Sequence, residues 1–162
     1  ASFQGTERRF QLKGDSFGIK IIDDYGHHPT EIKAVLAAAR NVRHQRLIVV
    51  FQPHRFSRTK FLFEEFAVSF EGADQLLLTD IYAASEKPIE GVSAESLCAR
   101  IKEKSSGIEA VYLKRENIVE HLLKSIKGGD LIITLGAGDI GKLSDELVWR
   151  IKSEGISRRT AD

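Results

Sequence analysis

The sequence predicts an α/β fold, an open, mostly parallel, Rossmann-like sheet of about five to six strands with helices on both faces. Three observations predict it. Short apolar runs alternate with helical patterns at a spacing of about 30 residues, the rhythm of repeated βα units. Most of those runs are nearly continuous in apolar residues, as strands covered by helices on both faces are. The chain has 162 residues, 42% of them hydrophobic and 29% charged, which is enough apolar material for one core without metals or disulfides.

Each element follows in order. Residues 8–13 (RRFQLK) alternate and precede any helix, so they read as an edge strand or a linker, with Gly14 turning the chain back. The core strands are 18–23 (GIKIID), 46–52 (RLIVVFQ), 74–80 (DQLLLTD), 109–113 (EAVYL) and Asp130–Leu135 (DLIITL). Pro29 takes a first helical position, Glu31 follows in the first turn, and Ile32, Val35, Leu36 and Ala39 form one apolar stripe. Ser57 is the expected cap of a helix that turns Phe63, Phe66, Ala67 and Phe70 inward and stops at Gly72. Ser93 caps the next, with Val92 and Leu97 as a hydrophobic staple. Ile118, Val119, Leu122, Leu123 and Ile126 line a fourth helix that ends at Gly128 and Gly129. A fifth carries Ile140, Leu143, Leu147 and Ile151. The expected organisation is a junction and edge strand over 1–14, a single α/β domain over 15–153, and a polar tail over 154–162 that frays.

Composition narrows the function classes. A formal net charge of +1 gives no basic field for nucleic acid. No apolar run approaches the roughly 18 residues of a membrane span. Residues 1–10 lack the apolar core of a signal peptide, and the lone cysteine, Cys98, fits a reducing cytoplasm. The chain contains no methionine, even at position 1, which points to processing, trimming or a fragment.

In open parallel sheets ligands bind beyond the carboxyl ends of the strands, so the loops there carry the candidate chemistry. In DDYGHHP, Asp24 is placed to orient a histidine or accept from a ribose hydroxyl. Tyr25 offers a flat face to a base, Gly26 permits close approach, and His27 can donate to phosphate or carboxylate. His28 is the expected helix cap. A capped turn with a satisfied histidine pair is the competing account, and no ligand spacing favours a metal.

In QPHRFSRTK, His54, Arg55 and Arg58 gather at a helix start, where the dipole disfavours cations by about 0.3–1 kcal/mol each. An anion among them, phosphate or carboxylate, resolves the conflict; pairing back to Glu64 or Glu65 is the alternative. In DIYAASEKPIEG, the small Ala83 and Ala84 after Tyr82 leave room for a small ligand and Glu86 can orient an amine or an arginine, with a packed connecting loop as the favoured competing account. GAGDIGKL satisfies G-x-G-x-x-G and G-x-x-x-x-G-K. Leu143 stands where a P-loop needs Ser or Thr, and the chain ends before the acidic residue of a dinucleotide site about 20 residues on. What remains is a close backbone approach at Gly136, Ala137 and Gly138, with Asp139 as a possible helix cap. A dinucleotide-binding domain using GAGDIG, or a non-catalytic anion-binding module centred on Arg55 and Arg58, stays open on these grounds.

The set DDYGHHPTEI, FQPHRFSRT, DIYAASEKPIEG and LGAGDI, in this order, resembles the C-terminal domain of the Mur ligases, over about residues 7–148. RRFQLKG is similar to that family's junction between central and C-terminal domains. Within the family, the resemblance is to members that add L-alanine to UDP-N-acetylmuramate. It implies a three-domain enzyme of peptidoglycan-precursor synthesis, in which an N-terminal domain holds the UDP part and a central domain holds ATP and Mg2+. The domain at hand closes over both. ATP phosphorylates the lactyl carboxylate, releasing ADP, and the amine of L-alanine attacks the acyl phosphate, expelling phosphate and leaving the amide. Tyr25 then packs near adenine and His27 near the phosphate or amino-acid end. Arg55 and Arg58 orient the L-alanine carboxylate or steady the phosphate, and the loops at Tyr82–Glu86 and Gly136–Gly138 complete the pocket. Lacking a Walker motif and a UDP domain, the chain alone is expected to be inactive.

Overall fold

A computed structural model describes residues 8–155. Strand β1 (Gln11–Ser16) pairs antiparallel with β2 (Ile19–Asp24), and β3 (Arg46–Phe51), β4 (Gln75–Leu78), β5 (Glu109–Tyr112) and β6 (Asp130–Leu135) run parallel to β2 in a sheet of order β1-β2-β6-β3-β4-β5. The expected α/β class and strand count hold.

The turn expected at Gly14 lies elsewhere. Gly14 sits inside β1 at a register shift, and the chain reverses at Phe17 and Gly18, both at positive φ. Gly14 is instead a packing glycine, because a Cβ there would lie 2.9 Å from Val148. β1 therefore crosses the expected boundary at residue 14. At the other end the final helix reaches Glu154; the tail beyond residue 155 lies outside the described residues.

Local chemistry explains the helices. In α1 (Pro29–Ala39) the His28 side chain accepts from the Thr30 N–H, Glu31 accepts from the His28 N–H, and Ile32, Val35, Leu36 and Ala39 are buried. Ser93 and Ser96 cap α4 (Ala94–Lys104) reciprocally. The helix expected from Ser57 is two short pieces, α2 (Phe56–Phe61) and α3 (Phe63–Ala67), broken at Leu62. Arg55, not Ser57, is the residue before the first turn, and the Ser57 hydroxyl donates to Glu86. Helix α5 (Arg115–Ser125) stops before the glycine pair, with Ile126 already extended, and α6 (Gly141–Glu154) closes the described chain.

The continuous apolar strands split their side chains between two layers. Leu47, Val49 and Phe51 join α1, α3 and α4 in one cluster, while Ile48 and Val50 join α5 and α6 in the other. Helices after β2, β3 and β4 cover one face; those after β5 and β6 cover the other. Neighbouring strands β3 and β6 thus send their chains to opposite faces, which opens a crevice beyond their carboxyl ends.

Candidate functional site

Every sequence-predicted candidate lies on this carboxyl-end rim, because Asp24, Leu135, Phe51 and Leu78 are in register across the parallel strands. The loops are stitched together by backbone. The Arg55 N–H donates to Tyr82 O (2.8 Å), and the Tyr82 N–H donates to Pro53 O (2.8 Å). Rings then cross the rim as a ladder. Tyr25 meets His27 edge-on at 5.2 Å, His27 lies 5.7 Å from His54, and His54 stacks on Tyr82 at 5.5 Å and 10°.

Arg55 is held at φ 74°, ψ 139°, a conformation that costs a non-glycine residue about 1–3 kcal/mol. Its carbonyl is pinned by the buried Thr59 hydroxyl (2.8 Å). Arg58 donates to His54 Nδ1 (3.1 Å), which fixes that nitrogen as an acceptor. Burial first, then the charges of Arg58, His27 and Arg55, lowers the His54 pKa to about 4, so the ring is neutral near pH 7. No carboxylate lies within ion-pair distance of Arg55 or Arg58 among the described residues; the expected alternative partner Glu64 pairs with Arg100. Arg55, Ser57, Arg58, Phe61, Leu62 and His28 line a concavity of about 560 Å³, with Phe61 84% exposed beside it.

Other candidates have different duties. Asp24 is buried, and its carboxylate accepts from the N–H groups of Gly26 and Phe10 (2.7 Å each), so it shapes the loop rather than facing a ribose or a histidine. The N–H and hydroxyl of Ser57 hold the Glu86 carboxylate below its usual pKa range. Ala84 and Ser85 both adopt positive φ, so the third loop is as contorted as the arginine loop. His27 Nδ1 lies 3.0 Å from Tyr25 O.

The glycine loop is filled by protein. A Cβ at Gly136 would lie 2.9 Å from Gln52 O, and one at Gly138 would lie 2.7 Å from both Gln52 Oε1 and the Tyr82 ring. Asp139 is not the helix cap; its carboxylate accepts from Gln52 Nε2 (2.9 Å) and its carbonyl from Arg115 (3.2 Å). Arg8, Gln52 and Arg115 were not singled out from sequence. Their partners lie 130, 87 and 24 residues away, beyond the reach of any local sequence signal.

The family model described as Mur ligase, glutamate ligase domain matches residues 8–138. The chain belongs to the Mur ligase family. This Mur ligase domain is 54% identical over 151 residues to a UDP-N-acetylmuramate–L-alanine ligase of Geotalea daltonii, covering 93% of this chain and 33% of that protein. A protein of the same name from Pelotomaculum thermopropionicum is 53% identical, with 93% and 32% covered. The crystal structure of the UDP-N-acetylmuramate–alanine ligase of Thermotoga maritima superposes with TM-score 0.69 at 30% identity, over 90% of this chain and 30% of that one. A murein peptide ligase from Psychrobacter arcticus, at TM-score 0.70 and 24% identity, shares the fold. The Mur ligase domain thus spans about a third of the length of the curated relatives it matches. The dinucleotide alternative loses its footing here. Its fingerprint loop is occupied by Gln52 and Tyr82.

Proposed function

We propose that this domain supplies the amino-acid-facing rim of an ATP-dependent ligase that joins L-alanine to UDP-N-acetylmuramate in the cytoplasm. The observation that carries the reading is the convergence of Arg55 and Arg58, without carboxylate partners, on a concavity beside His54 at the crevice of a parallel sheet. Guanidinium forks match a carboxylate or phosphate. High identity to relatives named for this reaction supports the substrate pair.

ATP with Mg2+ supplies the phosphoryl group that activates the lactyl carboxylate for attack by the amine. Arg55 and Arg58 bind the carboxylate of L-alanine or the transferring phosphate. Neutral His54 receives an Arg58 N–H and so aims that guanidinium. A base stacked on Tyr25 takes the face opposite the Arg8 guanidinium, which lies 5.5 Å from the ring centroid. Mg2+ and the ATP phosphates belong mainly to the central domain, since the P-loop-like run of this chain carries Leu143, buried in the core, where a magnesium-holding Ser or Thr would stand. The N-terminal domain holds the UDP group. Closure of this domain over both excludes water from the activated carboxylate. The isolated domain is therefore inactive.

The test is steady-state kinetics of the ligase carrying Arg55→Ala or Arg58→Ala, with folding followed by circular dichroism. Loss of a charged hydrogen bond predicts a fall of about 10- to 100-fold in kcat/KM. A fall confined to the L-alanine KM assigns the carboxylate, and one confined to kcat assigns the phosphate. Wild-type constants for both variants would overturn the reading.

A further inference from the structure

We propose that Arg8 is a positioning residue, a latch through which the junction segment holds the glycine loop and Tyr25 in place on the rim. Arg8 precedes β1 and makes four side-chain hydrogen bonds. Nε and Nη2 donate to the two oxygens of Asp23 (2.7 and 3.3 Å), Nη2 to Gly136 O (2.8 Å) and Nη1 to Gly138 O (3.1 Å). Its backbone carbonyl accepts from the Tyr25 N–H (2.6 Å), and its guanidinium lies over the Tyr25 ring. One residue thereby ties together the β2 loop, the β6 loop and the entry to the domain.

Two further facts show that the arrangement is built around a guanidinium. Asp23 is 2% exposed and also accepts from the buried Thr134 hydroxyl (2.6 Å), so the Arg8 guanidinium is the partner that offsets the cost of burying its carboxylate. Gly141, at the start of α6, leaves the space that Arg8 uses, since a Cβ there would lie 3.0 Å from both Arg8 Nε and Asp23 Oδ2. The fork geometry explains the residue type. A lysine can pair with Asp23 as a point charge, but it cannot reach two carbonyls and a carboxylate at once. The bond to Gly138 O also bears on the far side of the loop, where Gly138 packs under Tyr82 and against Gln52. Moving Arg8 therefore displaces the floor beneath the aromatic ladder.

The structural arm of the test does not rest on the proposed reaction. Nitrogen-15 and aromatic NMR of the chain with Arg8→Lys is expected to show a folded protein, with shifts confined to residues 23–27 and 134–141. Arg8→Ala combined with Asp23→Asn, which leaves no buried charge unpaired, is expected to shift the same resonances. Unchanged Gly136, Gly138 and Tyr25 signals would overturn the proposal, as would changes spread through the strand core. The kinetic arm rests on the proposed function. In the ligase, Arg8→Lys is expected to lower kcat/KM by about tenfold, with the melting temperature within a few degrees of wild type. A displaced rim with unchanged turnover would leave the latch standing and count against the functional reading instead.

Discussion

His54 is the residue on which the electrostatics of the rim can be read. The unfolded chain protonates this ring near pH 6.5, whereas the folded site holds it neutral down to about pH 4, through burial and the charges of Arg58, His27 and Arg55. The unfolded state therefore binds more protons between these values. The stability contributed by neutral His54 is complete above pH 6.5 and is lost as pH falls toward 4. Chemical denaturation across this window is expected to show a midpoint that drops on acidification, with a shallower slope in His54→Gln; equal slopes would contradict it. A bound anion reverses part of the field, so phosphate or L-alanine binding is expected to raise the His54 pKa in an NMR titration. Arg55 supplies the complementary prediction. Its positive φ favours glycine, so Arg55→Gly is expected to raise unfolding free energy by about 1 kcal/mol while weakening L-alanine binding. A variant both less stable and fully active would refute the idea that strain is retained for function.

At the scale of elements, the glycine loop is the tightest part of the site. Gly138→Ala would push a methyl against Gln52 and the Tyr82 ring, with an expected loss of about 1–3 kcal/mol on thermal or urea unfolding and a matching loss of turnover. Elements with local signals were legible from sequence. His28, Pro29 and Glu31 mark the start of α1 within four residues, and Ser93 marks α4 in the same way. The arginine loop was legible because its cations follow a strand end directly. Misread elements were those decided at a distance. Ser57 has the chemistry of a cap, but its hydroxyl is taken by Glu86, 29 residues on. Gly14 has the chemistry of a turn, but Val148 on α6 needs its small size. Asp24 resembles a ligand-binding carboxylate, yet the N–H groups of Phe10 and Gly26 occupy it. Arg8 and Gln52 carried no local sign of their partners across the sheet.

For the whole molecule, one topological fact organises the rest. The chain moves outward from β3 to β5 with helices on one face, returns across the other face, and inserts β6 beside β3. That insertion brings the glycine loop against the arginine and tyrosine loops and sets every candidate on one edge. The opposite edge carries the turns around residues 41–45, 105–108 and 126–129 and none of the candidate chemistry. Under the proposed function, a lid working from the carboxyl edge is shielded there when substrates are bound. Hydrogen–deuterium exchange of the ligase, with and without L-alanine, UDP-N-acetylmuramate and a non-hydrolysable ATP analogue, measures this directly. The predicted result is slowed exchange at residues 25–28, 52–58, 80–86 and 136–140, with the opposite turns unchanged. Protection of those opposite turns, with the four rim loops exchanging as in the free enzyme, would contradict the account.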